Sequence, residues 1–152
     1  MIHVSQPMTT VPEHFSTPLQ ELVYRTLTRL SIPFQRVEND PAITMEDCQA
    51  IDDRLQMQTV KTLFLCNRQQ TAFYLFVTLG DKPFRTKDFS AALGVSRVSF
   101  ATPEQLEQMM GTIVGSATVF SLLLPTARDV RVVFDRSLEC SEWYVITKVF
   151  RK

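Results

Sequence analysis

Histidine is scarce in this chain, and the only two, His3 and His14, fall within its first 15 residues. A catalytic triad built on histidine, or a His-rich metal site, would need one of them to fold back over the rest of the domain. The three cysteines are odd in number and match no zinc-ligand spacing. We therefore expect no metal and no cofactor, and we expect any enzymatic activity to work without histidine.

Long hydrophobic runs and an excess of one charge are also missing. No apolar run approaches the ~20 residues that span a bilayer, and the N-terminus lacks the basic-then-apolar order of a signal peptide. We expect a cytoplasmic protein with no membrane partner. The 16 basic residues balance the 16 acidic ones, whereas a protein that binds DNA nonspecifically is usually basic. DNA is therefore not an expected partner, but a tRNA end needs only a local basic patch.

The chain has 152 residues, which is a common size for one domain. Residues 1–15 contain two prolines and show no hydrophobic periodicity. This indicates a flexible N-terminal arm, followed by a single domain over residues 16–152.

Helix and strand signals are mixed along this domain. Threonines mark the predicted helix starts, with the first helix ending at Pro33; they are Thr17, Thr44, Thr86 and Thr102. The predicted strands are 34–37, 59–67, 71–79, 98–100, 130–135 and 143–150. A short polar turn joins the two longest strands into an antiparallel hairpin. We predict an α+β (mixed α/β) fold, in which short helices flank a central, mostly antiparallel or mixed sheet.

Lys61 is the anomaly of the strand at 59–67, TVKTLFLCN. Both faces of this strand are largely apolar, so it should lie inside the sheet with cover on both sides. A cation buried there costs several kcal/mol unless it meets water or an anion. Either Lys61 lies at the start of the strand and reaches solvent, or it lines a pocket for a negatively charged or carbonyl-bearing ligand.

Five strings follow one another along the chain: NDPAIT at 39–44, TVKTLFLCN at 59–67, DFSAALGVSRVSFATPEQLEQMMG at 88–111, GSATVF at 115–120 and RVVFDRSL at 131–138. Their order resembles the YbaK/prolyl-tRNA synthetase-associated editing domain family, small hydrolases that remove wrong amino acids from tRNA. The likeness covers roughly residues 17–138. The chain departs from the family pattern at Val119, where proline is usual, at Asn39, where histidine is common, and at its C-terminal end.

The resemblance implies a site made of a lysine and a glycine loop. The family's lysine corresponds to Lys61, which would hold the ester region or the terminal phosphate as a point charge. The backbone amides of Gly115, Ser116, Ala117 and Thr118 would stabilise the oxyanion of ester hydrolysis, converging with the Lys61 ammonium on one open pocket. From spacing alone, Gly115 marks only a tight turn, and Ser116 and Thr118 serve equally well as loop caps.

Further residues are candidates for holding the substrate. Asn39 and Asp40 would grip the amino group, although turn formation before a proline explains both. Phe34, Thr44 and Met45 would wall the side-chain pocket, although core packing explains them as well. A patch of exposed cations would face the tRNA unless it is ordinary solvated surface; its members are Arg68, Lys82, Arg85, Lys87 and Arg97.

The sequence therefore favours a freestanding editing hydrolase. Its expected partner is the acceptor end of an aminoacyl-tRNA, a small amino acid on tRNA for proline, with an aminoacyl-tRNA synthetase as a second partner. The alternative is a noncatalytic module that keeps the fold and binds RNA or a synthetase. A binder of free amino acids or nucleotides is a third possibility.

Overall fold

A computed structural model describes residues 1–146 of the chain. Within this range four helices form: α1 (Pro18–Arg29), α2 (Met45–Leu55), α3 (Thr86–Leu93) and α4 (Pro103–Met110). The strands there are β1 (Gln58–Asn67), β2 (Phe73–Leu79), β3 (Val98–Phe100), β4 (Arg131–Phe134) and β5 (Tyr144–Val145). Short 3-10 helices occupy Val119–Leu123, Pro125–Ala127 and Arg136–Cys140. No helix in the described part of the chain is long and apolar enough to cross a membrane.

The strands form one mixed sheet with β1 in its interior. The order is β3-β1-β2-β4, and the short β5 adds to the start of β1. β1 pairs antiparallel with β2 and β3, while β4 runs parallel to β2 and β5 parallel to β1. The predicted α+β fold and the central hairpin are therefore confirmed.

Two apolar cores cover the two faces of this sheet. Phe64 of β1 and Leu75 of β2 pack with Met110 of α4 on one face, which we call the α4 face. Leu65 of β1 packs with Phe89 of α3 on the other, which we call the α3 face. This two-sided cover is the expected result for a strand whose alternate side chains are both apolar.

Threonine side chains cap three of the helices as predicted. Thr17, Thr44 and Thr102 each accept a hydrogen bond from the backbone amide three residues on. Thr86 is not a cap, because it is the first residue of α3 and the preceding Arg85 makes no capping bond with its side chain. α1 stops at Arg29, short of the predicted Pro33, since the chain turns left-handed at Ser31 (φ 54°).

Two predicted strands at the ends of the domain differ from expectation. Residues 34–37 make only an isolated bridge, Met8 to Arg36, with a second bridge from Val4 to Asn39. The last predicted strand, 143–150, is confirmed at β5, while residues 147–150 lie outside the described part. The flexibility of the N-terminal arm stays a prediction. The contacts of the arm are specific, however, because Val4 is 7% exposed and packs on α2.

Candidate active site

A cleft of about 1050 Å³ runs along β1, between α2, the start of α4 and the loop after it. Residues 56–64 line the cleft, together with Phe100 and Ala101. Of the sequence-predicted site residues, the cleft brings four together: Met45, Lys61, Gly115 and Ala117. The cleft is large enough for an aminoacyl nucleoside, since small-molecule sites commonly measure 300–1,000 Å³.

The glycine loop borders the cleft from the α4 face, where Ala117 packs against the core around Phe64. Gly115 has φ +88°, a conformation that L residues rarely adopt, and open space where a Cβ would lie. The amide of Ser116 is taken, because it donates to the carbonyl of Ile113 at 2.9 Å. The amides of Gly115 and Ala117 have no acceptor among residues 1–146. The same holds for the amide of Thr118, so three of the four predicted donors have free N–H groups, and two of these residues, Gly115 and Ala117, line the cleft.

The hydroxyls of this loop do not line the cleft. Thr118 is 1% exposed, and its Oγ1 accepts from the amide of Phe120 at the start of a 3-10 helix, which is the loop-capping role. Ser116 is also 1% exposed, and its Oγ meets no partner within the described residues. Both side chains are buried, so it is the backbone amides of this loop that are left to contact a substrate.

Lys61 reaches the cleft from the other side of β1. Side chains alternate along a strand, so Lys61 shares the α3 face with Leu63, opposite Phe64 and the glycine loop. Its Nζ donates to the backbone carbonyl of Lys82, in the turn that follows β2. The Lys61 side chain and the glycine loop lie on opposite faces of the sheet, although residues of both line the cleft. The ammonium and the loop amides therefore do not meet at one point, contrary to our expectation.

A charge pair supports the turn that holds Lys61. The Lys82 ammonium lies 2.7 Å from Asp135 Oδ2, and Thr78 Oγ1 donates to the same carboxylate at 2.8 Å. Burial of Asp135, whose side chain is 12% exposed, opposes its ionisation. The hydrogen bonds from Lys82, Thr78 and the Ser137 amide outweigh that cost and hold the pKa of Asp135 far below its ordinary value. The carboxylate therefore stays charged and fixes the turn.

Four other predicted substrate contacts lie away from the cleft. Phe34 packs against Tyr24, with ring centroids 5.4 Å apart. Asp40 accepts from the amide of His3 at 2.9 Å, and Asn39 bridges to the N-terminal arm. Thr44 is occupied as the cap of α2. The turn and core explanations fit these residues, and only Met45, which is 70% exposed, lines the cleft.

Sequence reasoning missed an acidic wall at the start of β1. Asp52, Asp53 and Asp81 all line the cleft there. Asp52 is fixed in place, because its carboxylate accepts from both the amide and the hydroxyl of Thr59. The signal available in the sequence was the Asp52-Asp53 pair at the end of α2. Carboxylates are common on solvated helices, so the pair alone does not indicate a site.

Comparison with known proteins adds to this geometry. The aminoacyl-tRNA editing domain family matches residues 39–148. The prolyl-tRNA editing protein ProX of Acetoanaerobium sticklandii is 29% identical over 119 residues, which make up 78% of this chain and 73% of that protein.

Two solved structures have a similar fold. The crystal structure of hypothetical protein APE2540 matches with a TM-score of 0.61 and 21% identity, covering 77% of this chain and 75% of the other. A structure from epitope backbone grafting by computational design matches with a TM-score of 0.59 and 17% identity, covering 80% and 74%. At these identities the likeness extends to the fold alone.

Proposed function

This chain belongs to the family of aminoacyl-tRNA editing domains, and we propose that the cleft beside β1 is where it performs the family's reaction. It is an aminoacyl-tRNA deacylase, which hydrolyses the ester between a wrong amino acid and the terminal ribose of a tRNA. The proposed substrate is a small amino acid on tRNA for proline. The name of the ProX relative, a prolyl-tRNA editing protein, supports this choice.

The observation that carries the proposal is that free loop amides and a lysine border one cleft. Water attacks the ester carbonyl, its carbon–oxygen bond to the ribose breaks, and the ribose oxygen leaves with a proton. The amides of Gly115 and Ala117 are the donors for the oxyanion that forms on the way, with each fixed donor worth ~10²–10³ in rate. Backbone donors require no histidine, which suits a chain whose two histidines lie in its first 15 residues.

The resemblance allows Lys61 to hold either the ester region or the terminal phosphate, and we assign it to the terminal phosphate. Its position on the α3 face sets it apart from the loop amides, so the ester carbonyl belongs to the amides and the phosphate to the ammonium. A lysine acts at a phosphate as a point charge on a flexible stem. The Nζ of Lys61 donates to the Lys82 carbonyl, and a substrate phosphate would replace that carbonyl as its partner.

The acidic wall matches the other end of the substrate. An aminoacyl group carries a positive α-amino group, and Asp52, Asp53 and Asp81 place negative charge beside the cleft floor. The substrate carries both a cation and phosphates, and the cleft lining likewise carries charges of both signs. This arrangement favours an aminoacyl ester over a free nucleotide, which lacks the cation.

A panel of charged tRNAs, scored for loss of the ester, tests the proposal. We expect tRNA for proline carrying a small amino acid to be deacylated and the same tRNA carrying proline to be spared. If no charged tRNA in the panel is hydrolysed, the protein is the noncatalytic module instead. A pull-down with prolyl-tRNA synthetase tests the proposed synthetase partner, and recovery of tRNA without the synthetase would contradict it.

A further inference from the structure

A second depression, of about 570 Å³, lies on the α3 face and continues from the cleft. We call it the α3 groove, and its lining residues are Lys61, Leu63, Phe84, Arg85, Thr86, Lys87 and Phe100. Lys61 and Phe100 line both the cleft and the groove. The two cavities therefore adjoin at Lys61 and Phe100.

The groove is positively charged although the chain is neutral. Three of its seven lining residues are cations and none is acidic, while the whole chain has 16 of each sign. The acid nearest to Arg85 is Asp88, at 3.8 Å, and both side chains are about 70% exposed, so this pair is weak. Lys82, by contrast, is neutralised by Asp135 and lies outside the groove lining. The groove thus has uncompensated positive charge that suits a phosphate backbone.

An aromatic ring stands exposed beside these cations. Phe100 ends β3 and is 58% exposed, and its ring centroid lies 6.0 Å from that of Phe84. Cations along a groove together with an exposed aromatic face are the features with which proteins bind single-stranded nucleic acid, because the backbone follows the charge and a base stacks on the ring.

We infer that the α3 groove binds the unpaired nucleotides that precede the aminoacylated one at the 3′ end of the tRNA. Arg85 and Lys87 contact their phosphates, Phe100 stacks against a base, and Lys61 marks the junction with the cleft that holds the aminoacyl group. The inference rests on the proposed function for the identity of the RNA. It adds a second binding site, which the deacylation chemistry by itself does not require.

Binding of uncharged RNA tests the groove separately from catalysis. The probe is an acceptor-stem hairpin with an unpaired 3′ tail, compared with the same hairpin without the tail. We expect Phe100→Leu to raise the Kd of the tailed hairpin about tenfold, because one stacked base is worth ~1–3 kcal/mol. Phe134→Leu is the matched control, since Phe134 is also 58% exposed but lies on β4, outside both cavities.

The salt dependence tests the cations. Arg85→Ala with Lys87→Ala should lower the slope of log K against log salt by about 1.4, since each phosphate contact on a single strand contributes about 0.7. Arg128→Ala with Arg131→Ala removes two exposed cations outside both cavities and should leave the slope unchanged. Equal binding by the Phe100 and Phe134 variants, or equal losses with and without the tail, would overturn the groove assignment.

The two proposals fail in different ways. If the wild-type protein hydrolyses no charged tRNA but Phe100→Leu weakens tail binding, the groove stands and the proposed function fails. If tail binding is unchanged in all variants while charged tRNA is hydrolysed at the full rate, the groove fails and the proposed function stands.

Discussion

Two parts of the cleft differ in how their hydrogen-bond donors are used. In the glycine loop, the amides of Gly115 and Ala117 have no acceptor within residues 1–146, whereas the ammonium of Lys61 already donates to the Lys82 carbonyl. The positive φ of Gly115 allows the bend in the glycine loop. The free N–H groups on this bend make no hydrogen bond to any described residue. Lys61, in contrast, is held by two successive contacts: its ammonium donates to the Lys82 carbonyl, and the Lys82 ammonium pairs with Asp135. The loop should therefore respond to changes in backbone geometry, and the Lys61 side to changes in charge.

Removing the charge at Lys61 is the largest test of this comparison. We expect Lys61→Ala to lower kcat/KM for deacylation by about 10²-fold, because a lost hydrogen bond between the ammonium and the substrate phosphate costs up to about 3 kcal/mol. Single-turnover hydrolysis of charged tRNA measures the effect, and circular dichroism checks the fold. A folded Lys61→Ala protein with full activity would show that the lysine has no part in the reaction. Arg128→Ala, which removes an exposed cation elsewhere, serves as the charge control.

A change of backbone geometry at the loop should have a smaller effect. Gly115→Ala adds a methyl group into open space, so its whole effect comes from the positive φ of +88°. We expect the loop to shift and hydrolysis to fall roughly tenfold, since donors moved off the oxyanion lose part of their contribution. The measurement is kcat/KM beside the melting temperature.

Gly94 provides the matched control for this loop variant. It also has positive φ (+65°) and open space at the Cβ position, but it ends α3 and lines neither cavity. Gly94→Ala should cost about 1 kcal/mol of stability with unchanged activity. If the two variants lose activity equally, the loop amides have no special role.

The smallest expected effect concerns Asp135, which pairs with Lys82 in the turn that contacts Lys61. Asp135→Asn should reduce the free energy of unfolding by about 2 kcal/mol at neutral pH, because it removes a charged hydrogen-bond partner of Lys82 and Thr78. The folded-state pKa of Asp135 is lowered, so its stabilisation is present above its ordinary pKa of 3.8 and is lost as the pH falls below it. Urea unfolding of both proteins at several pH values measures the difference. A difference that stays constant down to pH 2 would contradict the charge-based explanation.

Local signals in the sequence predicted most of the elements. The capping roles of Thr17, Thr44 and Thr102 and the hairpin of β1 with β2 each depend on residues close together in the chain. The one cap that was wrong, Thr86, differs because the helix begins one residue earlier than its capping pattern suggests. The strand at 34–37 was wrong in kind, since its partner is the N-terminal arm and not the sheet.

The features of the functional site likewise separate into those set by residues close together in the chain and those set by distant ones. The sequence by itself determined that Lys61 stands in an interior strand and that Gly115 starts a bend, because strand periodicity and glycine placement are local properties. Only the tertiary structure decided that these two reach the cleft from opposite faces, that Asp135 braces a turn 53 residues away, and that Phe100 stays exposed beside a row of cations. The physical reason is that side-chain direction and charge partners over such separations follow from how strands pair and helices pack, and no short pattern in the sequence encodes that packing.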